Sequence, residues 1–191
     1  MCPPGKKAYL ASAPDFAIIG GMELYYEKAA AQDAAQIAEL FALGRRFLRE
    51  QGIDQWQGAH SPSLSVAETD IQKNLGRVLR TEDGRVAAYA ALIPGIDPTY
   101  VEIDGAWRQD GAYETVHRLT THPDFRGMGL ARRLLAECQA EARAHGAQSL
   151  RIDTHADNKV MQHTILSSGF CYCGVITQPS GAKRNAYEAA L

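Results

Sequence analysis

In the stretch HPDFRGMGLARRLL, His122 to Leu135, two glycines, Gly127 and Gly129, stand one residue apart just ahead of an apolar-periodic helix. Glycine weakens a helix by roughly 1 kcal/mol relative to alanine, so a pair of them at a helix start calls for a reason. The first N–H groups of a helix lack intrahelical partners, and the macrodipole adds partial positive charge there. Without a Cβ, glycine lets a phosphate approach the backbone closely. Arg126 and Arg132 flank the turn and can add charge-assisted bonds. These residues describe an anion site suited to a phosphate group. A tight turn that binds nothing is the plain alternative.

Two phosphate-binding patterns fail. No Gly-Lys-Ser/Thr follows, which excludes a Walker A loop. A dinucleotide fingerprint GxGxxG starts well, with Gly127, Gly129 and an acid, Asp153, at the end of the next strand. Its third glycine is Arg132, however, and too few elements follow to build a dinucleotide fold.

The elements that must position the turn follow from periodicity. Residues 1–21 are rich in Gly, Pro, Ala and Ser without a period and read as an N-terminal extension, leaving 22–191 as the domain. MELYYEKA from Met22 is strand-like, with Leu24 and Tyr26 on one face. Asp33 and Gln36 resemble a capping box ahead of a helix over 33–50, whose stripe is Ile37, Leu40, Phe41, Phe47 and Leu48. Ser65 and Glu68 form a second such box, with Ile71 and Leu75 inward and Gly76 as the stop. Asp83-Gly84 is a hairpin turn between two β-rich runs. Residues 93–111 read as a long irregular connection with a short strand at Tyr100–Ile103, and long loops in compact domains are often functional.

Next come a strand over 114–121 and a helix on Leu130, Leu134, Leu135 and Cys138 that ends at Gly146. A strand, SLRIDT, precedes a helix capped at Asp157-Asn158, with Val160, Met161, Ile165 and Leu166 inward and Gly169 as its stop. FCYCGVI and RNAYEAAL are the last strands. The order predicts an α/β fold, a mixed α+β sheet covered by helices.

Arg126-Gly127-Met128-Gly129-Leu130-Ala131 matches [RQ]-x-x-G-x-[GA], which resembles the acetyl-CoA loop of the GNAT superfamily of N-acetyltransferases. ADNKVMQHTILSSGF, Ala156 to Phe170, is similar to that family's Asn-led helix closing on Gly-Phe. The resemblance spans residues 22–191 and implies acetyl-CoA as co-substrate. It implies splayed strands at 114–121 and 149–154, pantetheine paired with the backbone of Leu119 and Thr121, and pyrophosphate on residues 127–131. Asn158 would bond pantetheine or hold the splay; as an ordinary N-cap it would do neither.

Transfer to an amine needs a neutral amine, a stabilised oxyanion and a proton for the departing thiolate. His117 matches the strand position where some family members carry a base, and imidazole, with a pKa near ~6.5, suits the task. A structural histidine bonded to backbone is the competing reading. Alternation places His117 on the face of Thr115 and Leu119. The N–H of Leu119 is the candidate oxyanion donor. Glu114, Glu102 and Asp104 are the next candidate bases, acting through water, and His155 stands near the same splay.

The tyrosine that many members use as the thiolate's acid is replaced by Ile165, which leaves Tyr172, His163, Ser168 or water. Trp56, Trp107, Tyr100, Asp54, Glu102 and Asp104 fall in segments that flank the family's acceptor cleft and suit a cationic amine. As core tryptophans and solvated acids they would need no ligand. The implied acceptor is a small-molecule amine or a peptide, and whether the chain is a homodimer stays open.

Composition bounds the rest. The 191 residues are 46% hydrophobic and 22% charged with net charge −2, as for one soluble domain. No basic run suggests nucleic acid. No apolar stretch approaches the ~20 residues of a membrane span. The N-terminus lacks the apolar core of a secretory signal, which points to a cytoplasmic protein. Four scattered cysteines do not make a disulfide framework, and Cys171-x-Cys173 lacks metal-ligand spacing, so no metal is expected. A non-catalytic acyl-CoA-binding module, supported by the missing tyrosine, and a nucleotide-binding oxidoreductase remain the alternatives.

Overall fold

Val86 to Leu92, VAAYAAL, carries apolar residues at every position. Such a strand is stable only with both faces covered. The computed structural model, which describes residues 16–19, 22–58 and 61–191, shows how that cover is built. Four of the strands come first: β1 (Phe16–Ile19), β2 (Met22–Lys28), β3 (Gly76–Thr81) and β4 (Val86–Pro94). Then come β5 (Asp104–Gly105), β6 (Tyr113–Thr121), β7 (Ser149–Thr154), β8 (Cys171–Thr177) and β9 (Lys183–Ala190). They form one sheet in the order β1-β2-β3-β4-β6-β7-β9-β8-β5. All neighbours run antiparallel except β6 and β7.

Helices α1 (Ala34–Glu50) and α2 (Leu64–Gln72) cover one face, where Ile37, Leu40, Phe41 and Ala67 pack on Val78, Tyr89 and Ala91. Helices α3 (Leu130–Ala144) and α4 (Lys159–Ser167) cover the other, where Leu130, Leu134, Leu135, Cys138 and Ile165 meet Ala88, Ala90 and Leu92. Tyr89 thus points to one helical layer and its neighbours to the other, as strand alternation requires. Gly84 closes the β3–β4 hairpin at φ +86°.

Several local expectations are revised. Residues 16–19 pair antiparallel with β2, so the folded sheet starts before Met22. The rest of the expected N-terminal extension lies outside the described residues. Gln36 does not close a capping box on Asp33: its side chain bonds the backbone of Gly84 and Val86 and ties α1 to the β3–β4 turn. Asp33 instead accepts from Ala30 N–H and from Arg80. Helix α2 begins one residue before Ser65, at Leu64, with Ser63 as its cap residue and no capping side-chain bond. It stops before Gly76, which opens β3.

No strand forms over Tyr100–Ile103; a 3₁₀ turn, Pro98–Tyr100, precedes the two-residue β5. In α4 only Ile165 is fully buried, while Val160 and Leu166 are exposed. The helix is too short and too peripheral to bury a wide stripe.

Since Ile165 is wholly buried, Ile165→Ala is expected to cost about 2–5 kcal/mol of stability through the cavity it leaves. Denaturant unfolding should show a lower midpoint, with turnover per folded molecule unchanged. A selective loss of kcat at an unchanged midpoint would contradict a purely packing role.

Candidate active site

The glycine turn has the form the sequence suggests. A 3₁₀ turn over Pro123–Phe125 leads into Arg126, and Gly127 and Gly129 adopt left-handed φ values of +79° and +75°. Gly129 is the cap residue of α3. A Cβ at Gly127 would meet nothing within 4 Å, so the space above the turn is open. Among the described residues none accepts a hydrogen bond from the N–H groups of Gly127, Gly129, Leu130 or Ala131. Helix N-terminal N–H groups left facing open space fit a phosphate.

A cleft of about 590 Å³ runs from this turn past Leu119 and Thr121 to Asn158. Its lining includes Arg126, Ala131 and Arg132, and the Arg126 guanidinium lies 4.6 Å from the Phe47 ring centre. Leu130 contributes to the wall but is core, and the Met128 side chain packs on the α3 core rather than into the cleft. Asn158 is a true N-cap: its Oδ1 accepts from Met161 N–H at 3.1 Å, while its Nδ2 donates to Gln55 Oε1 at 3.3 Å. It therefore anchors α4 and the α1–α2 connection together beside the splay.

Strands β6 and β7 pair from Tyr113↔Ser149 to Val116↔Ile152 and no further. Beyond that point they diverge. On its other side β6 slips register against β4: Ala91 faces His117, yet Tyr89 faces Thr120. The extra residue is accommodated at Arg118, which takes the left-handed φ of +57°. A non-glycine residue there costs about 1–3 kcal/mol unless its surroundings hold it. Asp70 of α2 does so, accepting two bonds of 2.8 Å from the Arg118 guanidinium and one of 2.6 Å from Tyr89 Oη. Burial, together with Asp70, raises the Tyr89 phenol's pKa, so Tyr89 stays a donor.

The bulge corrects the predicted facing of His117. Val116 and Leu119 both enter the α3–α4 core, so Leu119 lies opposite His117 rather than beside it. His117 Nε2 lies 2.6 Å from Asp97 Oδ2 and Nδ1 lies 3.9 Å from Asp153 Oδ1. Tyr100, fully buried, donates to Asp153 Oδ1 at 2.6 Å and packs against the imidazole at 5.8 Å between ring centres. Burial works against ionisation of Asp97, but hydrogen bonds from His117 and Thr99 outweigh it and hold the carboxyl well below the usual range. An ionised carboxylate only accepts, so Nε2 carries the proton and Nδ1 is the basic nitrogen. A second cleft of about 470 Å³ opens at His117 and Asp153 and shares Gln55, Trp56, Leu119 and Met161 with the first.

The remaining candidates separate. Glu114 is buried at the other end of β6 and bonds His145 at 2.8 Å. Glu102 and Asp104 border a different cavity beside β8. His155 Nδ1 accepts from Asp157 N–H, a turn bond. Of the thiolate-acid candidates, His163 borders the first cleft, Ser168 bonds the carbonyl of Thr164, and Tyr172 packs on Tyr187. Trp56 and Asp54 line the second cleft. Trp107 does not; it stacks on Tyr100 and on Arg151.

Cys171 is disulfide-bonded and Cys173 donates to the Cys171 carbonyl. Among the described residues no cluster of His, Cys, Asp and Glu is arranged to hold a metal ion, and no helix is long and apolar enough to cross a membrane. Sequence reasoning missed Asp97, Asp70 and Gln55. Only the placement of Asp97 in the long 93–111 connection hinted at a role.

Comparison with known proteins agrees with this geometry. Residues 37–170 match the family described as Acetyltransferase (GNAT) family. The uncharacterized N-acetyltransferase YesJ of Bacillus subtilis (strain 168) is 27% identical over 147 residues, 75% of this chain and 79% of that protein. The crystal structure of a GNAT-family acetyltransferase from Streptococcus agalactiae 2603 superposes with a TM-score of 0.79 at 33% identity, covering 91% of this chain and 97% of that one. The ribosomal-protein-S18-alanine N-acetyltransferase of Escherichia coli shares the fold at 16% identity, with a TM-score of 0.59 over 87% of this chain and 93% of that one.

Two outcomes follow from the site. Gly129→Val forces a branched side chain into a φ of +75° and fills the space before the α3 N–H groups. Acetyl-CoA should then no longer raise the melting temperature, although the domain still folds; an unchanged affinity would exclude the turn as the phosphate site. Asp97 ionises more readily folded than unfolded, so its charge stabilises the fold above the unfolded carboxylate pKa of ~3.9 and is lost as pH falls through the folded value. Asp97→Asn should therefore be less stable than wild type at pH 7, with the gap narrowing progressively as pH falls below the unfolded carboxylate pKa of ~3.9. A gap independent of pH in denaturant titrations would contradict the ionic role.

Proposed function

This chain belongs to the acetyltransferase (GNAT) family, and on that premise we propose that it moves the acetyl group of acetyl-CoA to a primary amine by direct attack. The observation that carries the reading is the splay. Beyond Val116 and Ile152 the two parallel strands leave a gap whose two ends open into the two clefts. One cleft ends at the unpartnered N–H groups of Gly127, Gly129, Leu130 and Ala131, and the other holds His117. When bound, acetyl-CoA supplies the thioester carbon that an amine attacks.

The chain's own residues have distinct tasks. Gly127 to Ala131 and Arg126 bind phosphate, and the edge of β6 at Leu119 to Thr121 offers backbone groups to an extended ligand arm. Arg132 adds positive charge at the mouth. Leu119, displaced by the bulge, is the candidate donor to the oxygen that gains charge. His117 Nδ1 takes a proton from the incoming ammonium. The resulting imidazolium sits between the carboxylates of Asp97 and Asp153, which stabilise it. As the amine nitrogen bonds the acetyl carbon it gives up its second proton to solvent, the carbon–sulfur bond breaks and the thiolate leaves. Ile165 is buried and cannot protonate it, which leaves His163, bordering the same cleft, or solvent to supply that proton.

His117→Gln should lower kcat/KM by roughly 10²–10⁴-fold, the usual reach of general-base catalysis, with the Kd for acetyl-CoA nearly unchanged. Turnover read as free thiol across an amine panel, over a pH series, is the experiment. Wild-type kcat/KM should rise through a single ionisation that the variant lacks. A variant with full activity and the same pH limb would move the base away from His117.

A further inference from the structure

We propose that the acceptor is a small amine that also carries a carboxylate, such as a free amino acid or dipeptide, and that Arg184 receives that carboxylate. The proposal rests on the acetyl-transfer reading above and names its substrate class. The acceptor-side cleft holds two guanidinium groups. Arg118 is consumed by its paired bonds to Asp70. Arg184 is partly buried and uses one N–H on the carbonyl of Lys183, and no carboxylate among the described residues pairs with it. A guanidinium has five donors in a planar fork that fits a carboxylate two bonds at a time. Four donors of Arg184 are left for a ligand.

The register fixes where this cation stands relative to the chemistry. Asp153 of β7 lies opposite Ala186 of β9. Arg184 is two residues from Ala186, so it shares the sheet face of Asp153, and Tyr100 packs on that face against Ala186. Diagonal neighbours of this kind lie about 7–8 Å apart, their Cβ atoms somewhat closer. The amine end of an acceptor at His117 and Asp153 is thus within a few bonds of a carboxylate at Arg184. Carboxylate at one end and guanidinium at the other match a zwitterion and disfavour a polycation or a purely apolar amine. The cleft volume, about 470 Å³, holds a molecule of this size.

The test compares L-amino acids, β-alanine and dipeptides with their carboxamides, which have nearly the same shape without the negative charge. The amide lowers the pKa of its own α-amine and so favours its reaction, which makes a preference for the acid more telling. In wild type, kcat/KM should favour the acids by roughly 10–100-fold, the reach of a charge-assisted bond. Arg184→Gln should erase that ratio through KM, and Arg184→Lys should restore part of it. Titration calorimetry with CoA present reads the same discrimination without turnover: acids bind, amides bind weakly, and Arg184→Gln no longer distinguishes them. Failure of every amine to release thiol overturns the transfer reading, while calorimetry still decides the acceptor class. Equal use and binding of acids and amides by wild type, or an unchanged ratio in Arg184→Gln, overturns the role of Arg184.

Discussion

The site depends on one buried carboxylate. Asp70 reaches from α2 into the sheet and accepts three hydrogen bonds, two from Arg118 and one from Tyr89. A charge taken out of water must be paired, and breaking such a pair by removing one partner costs more than the pair contributes. Arg118 is therefore held in a left-handed conformation that its side chain would otherwise avoid. That single twist shifts the phase of β6. It sends Leu119 to the α3–α4 side, leaves His117 on the other, and ends pairing with β7 at Val116. The gap and the opposed facing of the two residues on either side of it share one cause.

The irregular segment between β4 and β6 is fixed by bonds at both ends, which explains how a loop can hold the Asp97 carboxylate steady against His117. Near its start Asp97 N–H donates to Tyr113 Oη, and the Asp97 side chain accepts from Thr99 as well as lying on His117. Near its end Glu188, wholly buried, accepts from the N–H groups of Arg108 and Gln109 and from Ser149 and Arg151. Arg151 is in turn sandwiched between Trp107 and Tyr113, 4.1 and 3.7 Å from their ring centres. A buried network with every member satisfied is rigid. The aromatics that the family resemblance sets near an acceptor cleft thus divide: Trp56 lines the second cleft, and Trp107 serves the loop anchor.

Sequence alone determined what local rules govern. The glycine turn ahead of α3, the N-cap at Asn158, the Asp83-Gly84 hairpin and the periodic stripes of α1 and α3 are encoded by neighbours a few residues apart, and each is found where its residues stand. The parallel pairing of β6 with β7 and its opening also followed from the motif resemblance. Tertiary structure alone decided the rest. The bulge is stabilised by a carboxylate 48 residues away, so strand alternation read along β6 assigned His117 and Leu119 to one face and was wrong. Asp97 and His117 are 20 residues apart and Tyr100 and Asp153 are 53 apart, distances over which no sequence period operates. Gln36 left its capping box because a nearer set of backbone groups, at the β3–β4 turn, was brought to it by packing. Local signals specify which conformations a segment can adopt; which buried charges meet is a property of the assembled sheet, because only there does water leave them no other partner.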